Sequence, residues 1–131
     1  MLKAIAFIFG VAMIVAGILG FIPEATPSGF LLGLFHVNFT HNLIHLVTGV
    51  LAVGAAFSGK NSAQLFFRLL GLIYGAVAIL GFYNGDQPIF GLIANNFADT
   101  ILHAVIAVIA LYLGFCSCCC CRKDTCGTEK K

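Results

Sequence analysis

Charged side chains are scarce: Asp, Glu, Lys and Arg make up 9% of the 131 residues, against about 25% in average globular usage. With 60% of residues apolar, a soluble domain would lack the polar faces it must show to water, and a disordered chain would collapse. The seven Lys and Arg are scattered rather than gathered into a patch. No surface is there to neutralise phosphates, so a nucleic-acid partner is excluded. Enzyme motifs are lacking too: there is no H-E-x-x-H, no phosphate-binding glycine loop and no carboxylate pair. What remains is a small integral membrane protein whose first partner is the lipid bilayer.

A spanning helix needs roughly 20 mostly apolar residues. Four stretches qualify, at about residues 4–22, 41–57, 65–83 and 97–115. The fold class predicted is an all-α membrane protein, a four-transmembrane-helix bundle in one domain over residues 1–115, with a cysteine-rich cytoplasmic tail at 116–131. The first stretch has the outline of a signal peptide. However, Gly20-Phe21-Ile22-Pro23 offers no small-x-small cleavage site, and the stretch resembles the third, so it reads as retained. Lys3 precedes the first stretch, Lys60 and Arg68 flank the loop between the second and third, and Arg122, Lys123, Lys130 and Lys131 follow the fourth. The loops after the first and third stretches contain no Lys or Arg. The positive-inside rule then puts both termini in the cytoplasm.

The chain reads as two tandem two-helix repeats, at about residues 5–57 and 66–114. Gly10 and Gly20-Phe21 line up with Gly71 and Gly81-Phe82; Gly33-Leu34 lines up with Gly91-Leu92; Asn38, His41 and His45 line up with Asn96, Asp99 and His103. Each copy has two spans, so a pseudo-twofold axis along the membrane normal is expected. Ala12, Ala16 and Gly20, and likewise Gly71 and Gly75, recur every four residues, a spacing that lets helices approach closely in lipid. The apolar loops 29–35 and 88–93 are expected in the outer interface or as short half-turns, with Pro23, Pro27 and Tyr83-Asn84-Gly85-Asp86 ending the preceding helices.

Polar residues inside membrane segments are costly and default to a functional hypothesis. Asn38, His41, Asn42 and His45 share one helical face, with Thr48 and Gly49 one turn deeper, and Asn96, Asp99, Thr100 and His103 share another. Three readings fit. In the first, Asn38, His41, Asn42, His45, Asn96, Asp99 and His103 form a polar clamp: the asparagines cap helices, Asp99 suits a helix N-terminus, and the histidines bond across the bundle. In the second, His41, His45, Asp99 and His103 hold a metal such as Zn²⁺, or His45 and His103 are axial ligands to a haem. In the third, the histidines carry protons, although no ionisable residue continues that path inwards. A Ser-His-Asp site lacks its serine, because Ser28, Ser58, Ser62 and Ser117 lie elsewhere. The expectation is a non-enzymatic, structural protein, either forming a homo-oligomer or serving as a partner of other membrane proteins, with no obligatory cofactor; the alternative binds metal, haem or protons.

Gly20-Phe21, Leu31-Leu32-Gly33-Leu34-Phe35-x-Val37-Asn38, His41-Asn42-Leu43-Ile44-His45-Leu46-x-x-Gly49 and Asp99-x-x-x-His103 resemble a family of short bacterial four-helix membrane proteins known only as a domain of unknown function. The resemblance covers about residues 5–114 and implies the four-helix fold and the bacterial inner membrane, with no activity attached. Thr100 stands where members of that family often carry Asn. The six cysteines, Cys116, Cys118, Cys119, Cys120, Cys121 and Cys126, follow the last span. On the reducing side of a membrane they are not expected to form disulfides. They read as acylation sites in a eukaryotic host, as a soft-metal ligand set, or as a tolerated tail without chemistry. Asn38-Phe39-Thr40 also matches a glycosylation sequon, relevant only in a secretory pathway.

Overall fold

The computed structural model describes residues 1–116, so Cys118, Cys119, Cys120, Cys121 and Cys126 lie outside the described residues and Cys116 is an exposed free thiol. The order is α1 (Leu2–Leu19), β1 (Phe30–Leu31), β2 (Phe35–His36), α2 (Phe39–Ser58), α3 (Lys60–Asn84) and α4 (Phe97–Phe115). All four helices are long and apolar enough to cross a membrane. Their outward faces are apolar as well: Ile8, Val50, Ile79 and Val108 are exposed. A surface of this kind is stable against lipid and not against water.

Two helix limits differ from those expected. The first helix stops at Leu19 rather than near residue 22, because Ile22 precedes Pro23 and takes an extended conformation, φ −92° and ψ 116°. The third begins at Lys60 rather than near residue 65. Its polar first turn, Lys60-Asn61-Ser62, is too hydrophilic to count as span but forms helix all the same. Gly59 alone joins α2 to α3, at φ 127°, a conformation that a side chain would strain.

Helix α1 packs along α2, and α3 along α4. Bare backbone makes this possible: a Cβ on Gly10 would sit 2.9 Å from Val53 N, and one on Gly71 2.9 Å from Leu111 N. The stripe Ala12, Ala16 and Gly20 divides: Gly20 lies close against Asn42 of α2, whereas the Ala12–Ala16 part has a different place from the one expected. It borders a cavity between α1 and α4, while Gly10 and Gly17 make the close approach to α2. Gly75 has only Ala107 Cβ near it, at 3.9 Å. The half towards the α2–α3 link is apolar, built on Ala6, Ala63, Phe67, Leu70, Tyr74, Ala107 and Ala110. At its edge Arg68 Nε donates to Gly114 O at 2.7 Å, pairing a carbonyl of the last turn of α4.

The loops after α1 and α3 fold back as tight turns over the end of the bundle opposite Gly59. Leu32-Gly33 and Phe90-Gly91 both have positive φ at both residues, 51° and 72°, then 54° and 70°, as in a type I′ turn. The matching bonds are Leu34 N–H to Leu31 O and Leu92 N–H to Ile89 O, each 3.1 Å. The first turn joins β1 to β2; the second carries one bridge, between Ile89 and Ile93.

The glycine contacts give a graded expectation. In Gly49→Ala, the new methyl meets Gly10 O at 2.7 Å and should destabilise the bundle by roughly 1–3 kcal/mol. In Gly54→Ala nothing lies within 4 Å, and stability should hold or rise slightly. Thermal unfolding in one detergent compares the two.

Candidate functional site

Asn38 and Asn96 each begin a helix. Asn38 Oδ1 accepts from His41 N–H and Asn96 Oδ1 from Asp99 N–H, both at 2.9 Å. Each capping side chain then crosses the molecule. Asn38 Nδ2 donates to Leu92 O at 2.8 Å, and Asn96 Nδ2 donates to Leu34 O at 2.7 Å. Leu34 and Leu92 close the two tight turns. The cap of α2 therefore holds the turn before α4, and the cap of α4 holds the turn before α2.

Asp99 is buried, yet its carboxylate serves backbone. Oδ2 accepts from Asn96 N–H at 3.0 Å, completing a capping box on α4, and from His36 N–H at 3.1 Å. A carboxylate here also suits the positive end of the helix. Asn42 Nδ2 donates to Gly20 O at 2.6 Å and holds the end of α1 on α2. In the other pair, the Thr100 hydroxyl donates to Asn96 O at 3.1 Å and packs against Gly81.

Three imidazoles meet beneath these bonds. His41 Nδ1 lies 2.9 Å from Ala94 O and 3.1 Å from His36 O. Carbonyl oxygens only accept, so Nδ1 carries the proton and Nε2 keeps its lone pair. That Nε2 is 3.2 Å from His45 Nε2, and the two rings stand edge to face with centroids 4.6 Å apart. His103 completes the group, its ring centroid 6.1 Å from that of His41. One ring nitrogen from each of the three lies within 4.8 Å of the others. The Nδ1 atoms of His45 and His103, and Asn42 Oδ1, are buried with no partner among the described residues.

His45, Asp99 and His103 line one wall of a cavity of about 330 Å³ between α1, α4 and the β1–β2 turn. The rest of its lining is apolar, including Met13, Leu31 and Val37.

The residues singled out in the sequence therefore divide. Asn38, Asn96, Asp99, Asn42 and Thr100 bond to backbone, while His41, His45 and His103 converge on one another. Asp99 shares the cavity wall but not the imidazole cluster. Three further residues contribute. His36 takes part through its backbone, for which side-chain spacing holds no signal. Asn95 is 1% exposed and donates to Gly85 O at 2.9 Å; an Asn-Asn pair at a helix start was its signal. Tyr74 is buried, with its ring 5.2 Å from His103 and its hydroxyl 4.0 Å from Met13 Sδ. As a polar group in the middle of an apolar span it too was visible.

Residues 3–116 match the family described as a domain of unknown function, DUF4383, and the chain belongs to that family. No curated protein and no solved structure matches it.

Asn38→Ala and Asn96→Ala each remove a cap and leave a carbonyl of the opposite turn unpaired. Each should cost about 1–2 kcal/mol, and Asn96→Ala the more, because its capping box with Asp99 goes too. Denaturant titration in mixed micelles measures both.

Proposed function

We propose that this member of the DUF4383 family is a non-enzymatic structural protein of the bacterial inner membrane, acting within a larger membrane system. In this reading it is two tandem two-helix repeats about a pseudo-twofold axis along the membrane normal, both termini cytoplasmic. The observation that carries the reading is the exchange between halves: Asn38 to Leu92 O and Asn96 to Leu34 O. The order of matched markers in the chain supports it. So does the recurrence of two contacts, Gly10 on Val53 with Gly71 on Leu111, and Gly20 on Asn42 with Gly81 on Thr100. Polar groups spent on backbone bonds form a clamp, and a carboxylate held as Asp99 is held has no free role as a base.

Orientation rests on the Lys and Arg at the inner ends and is tested by thiol labelling. All six cysteines are changed to serine, and Gln87→Cys or Asn61→Cys is added; both positions are exposed. A membrane-impermeant maleimide on intact cells should label the cysteine at 87, and the one at 61 only after permeabilisation. The reverse pattern contradicts the orientation. The structural role is tested by extraction from native membranes in a mild detergent. An assembly heavier than one chain is expected; a lone chain in every gentle detergent contradicts it.

A further inference from the structure

We infer that His41, His45 and His103 form a binding site for a first-row divalent metal ion, with Zn²⁺ its natural fit. The site goes beyond the structural role of the clamp and lies directly beneath it. Two independent observations carry it. One is convergence: three imidazoles from α2 and α4 bring ligand nitrogens within 4.8 Å of one another. The other is an unmet need: His103, across from the His41–His45 pair, buries an Nδ1 that has no partner among the described residues. A buried polar atom left unpaired is costly, and an ion or a water is what answers it.

One pair of nitrogens already matches the edge of a small tetrahedral site, with the third imidazole beside it. With Zn–N bonds of about 2.0–2.1 Å, neighbouring ligand nitrogens in a tetrahedron stand about 3.3 Å apart. His41 Nε2 and His45 Nε2 are 3.2 Å apart. His41 also has the outer support that metal-bound histidines use: its Nδ1–H is fixed by Ala94 O and His36 O, which aims the Nε2 lone pair at the cluster. The ring of His41 packs against both His45 and His103, leaving no room for a haem between them. Neutral imidazoles bring no charge of their own, and imidazole sets suit Zn²⁺, Cu²⁺ and Ni²⁺.

Asp99 does not complete the set, because its Oδ2 is held by two backbone N–H groups. Three histidines leave a fourth position, which falls to water or to a small ligand entering from the cavity lined by His45 and His103. Three protein ligands with one open position is the arrangement of zinc sites that exchange a bound molecule rather than of closed structural ones.

The test uses the full chain with all six cysteines changed to serine, purified in detergent, stripped with chelator and titrated with Co²⁺ and with Zn²⁺. The expected result is saturation at about one ion per chain, visible Co²⁺ bands of nitrogen ligation, and a rise in melting temperature with metal. His103→Asn and His45→Gln, each checked for its helical signal and melting, should abolish saturation. Any of three results overturns the site: no saturable binding in the cysteine-free chain, binding that appears only when the tail thiols are present, or binding that survives both histidine changes. The first would assign the buried Nδ1 atoms to bridging water.

Discussion

Helix starts and tight turns leave backbone groups without a partner along their own element, and that constraint organises the loop-bearing end of this protein. Tight turns expose carbonyls, and helix starts expose N–H groups. In this bundle the helix-start N–H groups are satisfied by their own caps, and the turn carbonyls by the other half of the chain. Asn38 and Asn96 do both jobs at once, capping their own helix with the oxygen and holding the opposite turn with the nitrogen. Asp99 adds the link to His36. The two helix pairs pack intimately within themselves, and these bonds from side-chain amides to carbonyls tie their loop-bearing ends together.

The clamp has a second consequence. With the turn carbonyls satisfied, the imidazoles one turn further along the helices are held in place without being used up. His41 is the hinge between the layers. Its Nδ1 belongs to the clamp, through the carbonyls of His36 and Ala94, and its Nε2 belongs to the cluster with His45. Structure and binding chemistry are thus carried by opposite edges of one ring. The cavity gives that cluster an approach from between α1 and α4, where small residues at Ala12 and Ala16 leave space.

The four spans were readable because hydropathy over some twenty residues is a strong and local signal. Their ends were less so. Lys60 to Gln64 read as loop, since polarity at a membrane surface looks alike whether the backbone is helical or not. The asparagine caps were readable from residue type and position. What Asn38 and Asn96 bond across the molecule was not, because the acceptors are backbone carbonyls that every residue has. Asp99 shows the limit most clearly. Its spacing from His103 placed it among metal ligands, whereas the carboxylate turns to the N–H groups of Asn96 and His36. Convergence of His41 and His45 was implied by their spacing of four. That His103 joins them depends on how α4 lies against α2, which no single helix encodes.

The central claim is that the two halves exchange hydrogen bonds through Asn38 and Asn96. Side-chain amide resonances of these residues, observed by NMR in lipid nanodiscs with ¹⁵N-labelled asparagine, test it most directly. The account predicts that both NH₂ groups are protected from solvent exchange and show contacts to Leu92 and Leu34 respectively. Rapid exchange at both, with no contact across the halves, would contradict it.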